Sequence, residues 1–182
     1  MADLRVLETS IKGLYEINLV VQGDSRGWFK ENYQQVKLEE LGLPHFEIVQ
    51  NNIAFNKERG VTRGFHAEPW EKFITVATGK VFGAWVDLRE GSTFGKVETL
   101  TITPDKAVFV SRGIANGYQT LEPNVAYTYL VNDHWSPESK YTSVSLFDPQ
   151  LAINWPVAQK DATCSEKDLA HPLLGEISPI TP

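Results

Sequence analysis

The sequence predicts a mainly β domain, a sandwich or barrel, and three observations carry that prediction. Short extended runs bounded by Gly, Pro, Asn and Asp recur along most of the chain. Aromatic residues make up 11% of the sequence, and Phe, Tyr and Trp favour strands and aromatic-lined pockets. No long helical pattern separates the runs, which argues against a doubly wound sheet.

Taken in order, residues 15–21 read as a strand ended by the turn Gly23-Asp24-Ser25-Arg26-Gly27, and residues 28–35 as a second. Residues 36–41 are the one early helical candidate, stopped by Gly42 and Pro44. Further strands are expected at 46–55, 72–78, 81–88, 97–102, 107–110, 118–121 and 126–131, with Thr78-Gly79-Lys80 turning between two apolar runs. After Trp155-Pro156 the chain turns polar. Ser165 followed by Asp168 three positions on reads as a helix start, with Ser165 as its cap. Residues 1–175 are expected to form one domain, and 176–182 a Pro-containing tail or linker.

A chain of 182 residues with 42% hydrophobic content suits a single core. The net charge of −6 disfavours nucleic acid as a partner, since a grip on phosphate backbones needs a basic face. A few inward Arg and Lys side chains can still make a positive pocket for a small anion. Cys164 is the single cysteine, which excludes an internal disulfide and a Cys-based zinc cluster and fits a reduced, cytoplasmic setting. The first residues lack the apolar core of a signal peptide, and no apolar run approaches the ~20 residues of a membrane span.

The chemistry concentrates in Val61-Thr62-Arg63-Gly64-Phe65-His66 and in Lys72 six residues later. Side chains alternate across a strand, so Lys72, Ile74 and Val76 share one face. If that face is the cavity face, Lys72 is an inward ammonium; alone, it would read as a solvated strand end. His66 alone reads as a hydrogen-bonded structural residue, but Arg63 nearby supplies a fork suited to phosphate. A cupin metal site would need a second His at position 68 and a third at 116. Glu68 and Asn116 stand there, and amides are poor substitutes, so no metal is expected. An imidazole without a metal is free for proton transfer, given a carboxylate to orient it and an acid across the substrate. Tyr127 and Tyr129 share a strand face, and a phenol can serve as that acid; ordinary aromatic packing is the competing reading.

Together these residues resemble the dTDP-4-dehydrorhamnose 3,5-epimerase family of dimeric jelly-roll cupins. The specific segments are Arg63-Gly64-Phe65-His66, Gly79-Lys80-Val81-Phe82, Val86-Asp87-Leu88-Arg89 with Gly91-Ser92-Thr93-Phe94-Gly95, Trp135-Ser136-Pro137, Asp148-Pro149 with Trp155-Pro156, and Lys167-Asp168-Leu169-Ala170-His171-Pro172. The resemblance implies a cupin-type jelly roll with short peripheral helices, a homodimer, and epimerisation of a nucleotide-linked 4-keto-6-deoxy sugar without a cofactor. It makes His66 the base, Asp168 its paired carboxylate, Tyr129 the phenolic acid and Lys72 the cation beside the C4 carbonyl oxygen. Arg26, Glu31, Gln50, Asn52 and Arg63 match positions that hold the nucleotide sugar, with the Arg side chains directed at diphosphate.

Two departures stand out. Asn116 replaces the usual His of its turn, and Trp135 stands where another aromatic is common near the sugar or base. They leave open a mono-epimerase acting at C3 or C5, or a cupin that binds a sugar nucleotide without turnover. The Asn116 turn, the Ala67-Glu68-Pro69-Trp70 segment and the Pro-containing end are similar to the epimerase half of fused epimerase/reductase proteins. That implies a reductase domain, fused or associated, outside these residues.

Overall fold

The computed structural model describes residues 3–139 and 141–181. Thirteen strands run through it: β1 (Arg5–Glu8), β2 (Leu14–Asn18), β3 (Val21–Asp24), β4 (Gly27–Lys30), β5 (Gln50–Asn56), β6 (Thr62–Ala67), β7 (Lys72–Thr78), β8 (Val81–Asp87), β9 (Val97–Ile102), β10 (Lys106–Val110), β11 (Ile114–Thr120), β12 (Val125–Val131) and β13 (Thr142–Ser143). Two short α-helices accompany them, α1 (Gln35–Glu40) and α2 (Glu166–Leu169). One sheet has the order β1-β2-β10-β7-β12-β5, the other β13-β6-β11-β8-β9, and β3 with β4 forms a separate hairpin. Successive strands from β5 to β8 alternate between the two sheets, and the described pairings within the sheets are antiparallel. This is the cupin-type jelly-roll sandwich.

Period-two alternation explains the layers. Ile74, Val76, Val108 and Val110 from one sheet meet Val81, Trp85, Ile114 and Tyr118 from the other, forming the central core. The opposite face of the first sheet carries Phe73 and Phe109, which pack on Phe46 and on Leu38 of α1. The opposite face of the second carries Phe65, Ala67, Ala84 and Val86, covered by Val144, Leu146 and Leu151. The C-terminal third is therefore a cover for the second sheet. Residues 176–182, expected as a tail, contribute to it as far as they are described: Ile180 N–H donates to Leu88 O at 2.7 Å, and Glu90 N–H donates to Ile180 O at 2.9 Å.

Several elements differ in extent from the sequence reading. The second strand stops at Lys30 because its ammonium turns inward to the carbonyls of Val76 and Pro104, and Gln34 then caps α1. The strand expected at 46–55 runs from Gln50, joined to β12 from Val49 N–H onward, while Phe46 packs on Leu38 of α1. β11 begins at Ile114, four residues earlier than expected, so Asn116 lies on a strand rather than in a turn. β1, β3, β6 and β13 were not anticipated; each acquires its status from a partner strand. Ser165 caps α2, its hydroxyl accepting from Asp168 N–H at 3.0 Å as the sequence suggested.

Candidate active site

Alternation on β6 turns Phe65 and Ala67 toward the covering segments and His66 toward the space between the sheets. On β12 the same alternation turns Tyr127 and Tyr129 toward that space from the other sheet. A cavity of about 220 Å³ opens there, lined by His66, Tyr129, Gln50, Asn52 and Trp135, and also by Glu68, Trp70, Tyr141 and Lys167.

His66 is held at both nitrogens. Its Nε2 lies 3.3 Å from Asp168 Oδ1, and its Nδ1 lies 3.3 Å from Ser143 Oγ. Asp168 is buried, and its other oxygen accepts from Gly64 N–H at 3.3 Å. Burial pushes the Asp168 carboxyl up, but the His66 imidazole and the Gly64 N–H outweigh it and hold the group below its usual value. Asp168 is therefore an anion at neutral pH. An anion on Nε2 fixes the proton there and leaves Nδ1 as the basic nitrogen. His171 packs edge-on against His66 with ring centroids 4.9 Å apart, and its Nε2 lies 3.9 Å from Asp168 Oδ1.

Gly64, whose N–H reaches Asp168, also lies in close approach to β11. It has φ +116°, and a Cβ there would lie 2.6 Å from Asn116 O and 2.7 Å from Gly117 Cα. Only glycine fits so close to a neighbouring backbone in that conformation.

Lys72 starts β7 and is buried, facing inward with Ile74 and Val76 as the alternation requires. Its ammonium lies 2.5 Å from Glu68 Oε2 and 5.3 Å from the Tyr129 ring centroid. Tyr129 is held above the ordinary phenol range, by burial first and then by the Glu68 carboxylate, so it stays protonated at neutral pH. Glu68 was read in the sequence only as a missing metal ligand. Its spacing of four from Lys72 was the available signal of an ion pair. Tyr141 and Lys167 carried no local signal, because they reach the cavity from the covering segments.

The remaining sequence-predicted residues divide. Asn116 sits opposite His66 in the β6–β11 register, but its amide donates to Tyr127 Oη at 3.3 Å within the core. Arg63 is exposed, with Nε donating to Asn56 Oδ1 at 3.1 Å; Tyr118 Oη donates to the same oxygen at 3.2 Å. Arg26 and Glu31 lie elsewhere. Arg26 sits at the tip of the β3–β4 hairpin, 87% exposed and paired with Asp24. Glu31 lines a different cavity and pairs with Lys37 at 2.5 Å.

The family model for dTDP-4-dehydrorhamnose 3,5-epimerase matches residues 8–176. A protein from Streptococcus pyogenes described as an RmlC homolog is 50% identical over 94% of this chain and 90% of its own length. The dTDP-4-dehydrorhamnose 3,5-epimerase of Salmonella typhimurium is 33% identical over 94% of this chain and 96% of its own. The structure of RmlC from Streptococcus suis in complex with dTDP-D-xylose superposes with a TM-score of 0.94 at 46% identity, covering 98% of this chain and 95% of the other. With His66, Lys72 and Tyr129 gathered between two jelly-roll sheets and the match running through nearly the whole fold, the chain belongs to the dTDP-4-dehydrorhamnose 3,5-epimerase family.

Proposed function

We propose that this protein epimerises C3 and C5 of dTDP-4-dehydro-6-deoxy-D-glucose, giving dTDP-4-dehydro-L-rhamnose for dTDP-L-rhamnose biosynthesis. The observation that carries the reading is that His66 and Tyr129 enter one cavity from opposite sheets. Inverting a carbon requires a proton to leave from one face and return to the other.

The C4 ketone acidifies the protons on C3 and C5. His66 Nδ1 accepts one of them, and Asp168 stabilises the imidazolium that forms. Negative charge moves to the C4 oxygen, where the Lys72 ammonium meets it; a single donor of this kind supplies about 3–4 kcal/mol. Tyr129, kept protonated by its surroundings, delivers a proton to the opposite face. The same cycle at the second carbon gives the double epimer. Gln50, Asn52 and Trp135 are placed to hold the sugar nucleotide beside these groups.

The dTDP-D-xylose complex of the Streptococcus suis protein supports a dTDP sugar as ligand. Arg26 and Glu31 can serve such a ligand only from a second copy of the chain, so the working unit is a homodimer. The hairpin carrying Arg26 exposes Trp28 and Phe29, and edge strand β5 exposes Ile53 and Phe55, apolar surfaces that a second copy would cover. The keto product remains a substrate for a reductase, fused or associated. Among the described residues no helix is long and apolar enough to cross a membrane; the single cysteine supports a cytoplasmic setting.

Incubation with dTDP-4-keto-6-deoxyglucose in heavy water, followed by NMR, tests the reading. Deuterium enters both C3 and C5; retained binding with no exchange would sink it. A mono-epimerase is the second reading. Asn116 favours it, and a relative from Streptomyces niveus, 34% identical over 84% of this chain, is described as a dTDP-4-dehydrorhamnose 3-epimerase. Exchange confined to one carbon selects it.

A further inference from the structure

We propose that His66, Asp168 and His171 form a capture site for a divalent transition-metal ion of the zinc class, whose occupancy switches the enzyme off. The binding stands on geometry; the inhibition rests on His66 serving as the base.

One ligand atom from each residue lies within 4.8 Å of the other two. Zinc bonds of about 2.0–2.2 Å place tetrahedral donors roughly 3.4 Å apart. The separation of His66 Nε2 and Asp168 Oδ1 is already 3.3 Å, and His171 Nε2 stands 3.9 Å from the same oxygen. Closing the third pair from within 4.8 Å to the same spacing completes three positions of a tetrahedron. Of the three residues, His66 also lines the cavity.

A second observation points to a missing ligand. The His171 side chain is only 7% exposed, and neither of its ring nitrogens has a hydrogen-bond partner. Buried polar atoms without partners are costly, and a metal ion would satisfy one of them directly. Two imidazoles and one carboxylate suit zinc and its neighbours in the transition series, not magnesium or calcium. His171 and Asp168 are three residues apart and lie on one side of His66, so both close on it together. The set shares only His66 with the cupin metal positions; at the other two, Glu68 pairs with Lys72 and Asn116 with Tyr127. A cation bound at His66 Nε2 displaces the proton held there, so the neutral ring carries its proton on Nδ1; the lone pair that removes the sugar proton is lost, together with the Asp168 charge that supports it.

Zinc chloride titrated into the intact, metal-free protein tests the site by calorimetry. One equivalent binds, and exchange of substrate protons falls over the same concentration range and returns on adding a chelator. Crystals soaked in zinc show an anomalous peak about 2 Å from the three residues. His171→Leu weakens zinc binding and inhibition by at least about tenfold, since even outer ligand partners are worth that much, while metal-free turnover stays within a few-fold of the wild type. Absence of stoichiometric binding, a peak at other residues, or unchanged inhibition in His171→Leu overturns the proposal. Stoichiometric zinc at these residues in a protein that shows no exchange even without metal supports the site and removes the epimerase reading instead.

Discussion

Glu68 and Lys72 form a buried ion pair, Oε2 to Nζ 2.5 Å, with Glu68 lining the cavity where the sugar would lie. With side chains only 14% and 8% exposed, neither charge has water to fall back on. The pair holds the ammonium beside Tyr129 before substrate arrives, so the cation assigned to the enolate oxygen is positioned in advance. Glu68→Gln leaves that ammonium without its counter-charge and should cost about 3 kcal/mol of stability in urea unfolding. The double variant Glu68→Gln with Lys72→Met should recover much of the loss, a coupling that a double-mutant cycle reads directly. Lys72→Met alone should lower kcat on the order of 10²–10³-fold.

His66→Ala should abolish deuterium exchange while leaving the far-ultraviolet dichroism unchanged, because the side chain faces the cavity and not the packed side of β6. Ser143→Ala is the contrasting case. Its hydroxyl only meets Nδ1 at rest, 3.3 Å away, and the substrate proton must displace it. Exchange therefore survives in Ser143→Ala at a rate within about tenfold of wild type; loss as deep as in His66→Ala would mean that Ser143 shares the proton transfer.

Arg26 provides a test of the homodimer. Arg26→Ala should raise KM although the residue sits outside its own chain's cavity. Mixing Arg26→Ala and His66→Ala subunits should restore activity, since one site in each mixed dimer has an intact His66 and receives an intact Arg26 from the partner. No recovery in a verified mixed dimer would place Arg26 outside the site.

Gly64→Ala puts a methyl group 2.6 Å from a carbonyl oxygen and 2.7 Å from a Cα, both backbone atoms that cannot rotate away. Strain at φ +116° adds to the clash. A loss of about 2–5 kcal/mol is expected in equilibrium unfolding. The Gly64 N–H would also move off Asp168, so activity should fall in whatever fraction remains folded.

Stability should decline in acid partly through Asp87. Burial pushes this carboxyl up, but Arg89, the Thr93 hydroxyl and the Arg89 N–H outweigh burial and hold it below its ordinary value. A depressed folded value stabilises the fold above the unfolded value of about 3.9, and that contribution is lost as pH falls through the folded value. Asp87→Asn should therefore be less stable than wild type at pH 7, with the gap narrowing below about pH 4. A gap independent of pH would assign the effect to lost hydrogen bonds alone.

Much of this molecule was legible along the chain. Period-two alternation grouped Lys72 with Ile74 and Val76, and Tyr127 with Tyr129, on shared strand faces; β6 was not read as a strand, and His66 joined them only through the family motif. Ser165 and Asp168 were readable as a helix start because capping is local, decided within three residues. The family motifs added roles that periodicity cannot supply.

Tertiary structure decided the rest. His66 and Asp168 are about a hundred residues apart, and only the packing of α2 on β6 brings them to 3.3 Å. The same packing buries His171 with both nitrogens unpartnered. Glu68 became a partner of Lys72 because the turn after β6 folds the carboxylate back over the start of β7. Asn116 turned from the cavity to Tyr127, and Arg26 stayed on the surface. Alternation and capping are properties of neighbouring residues and can be read in order. Which charges meet depends on how two sheets and a covering segment close on one another, and that is settled by packing across the whole domain.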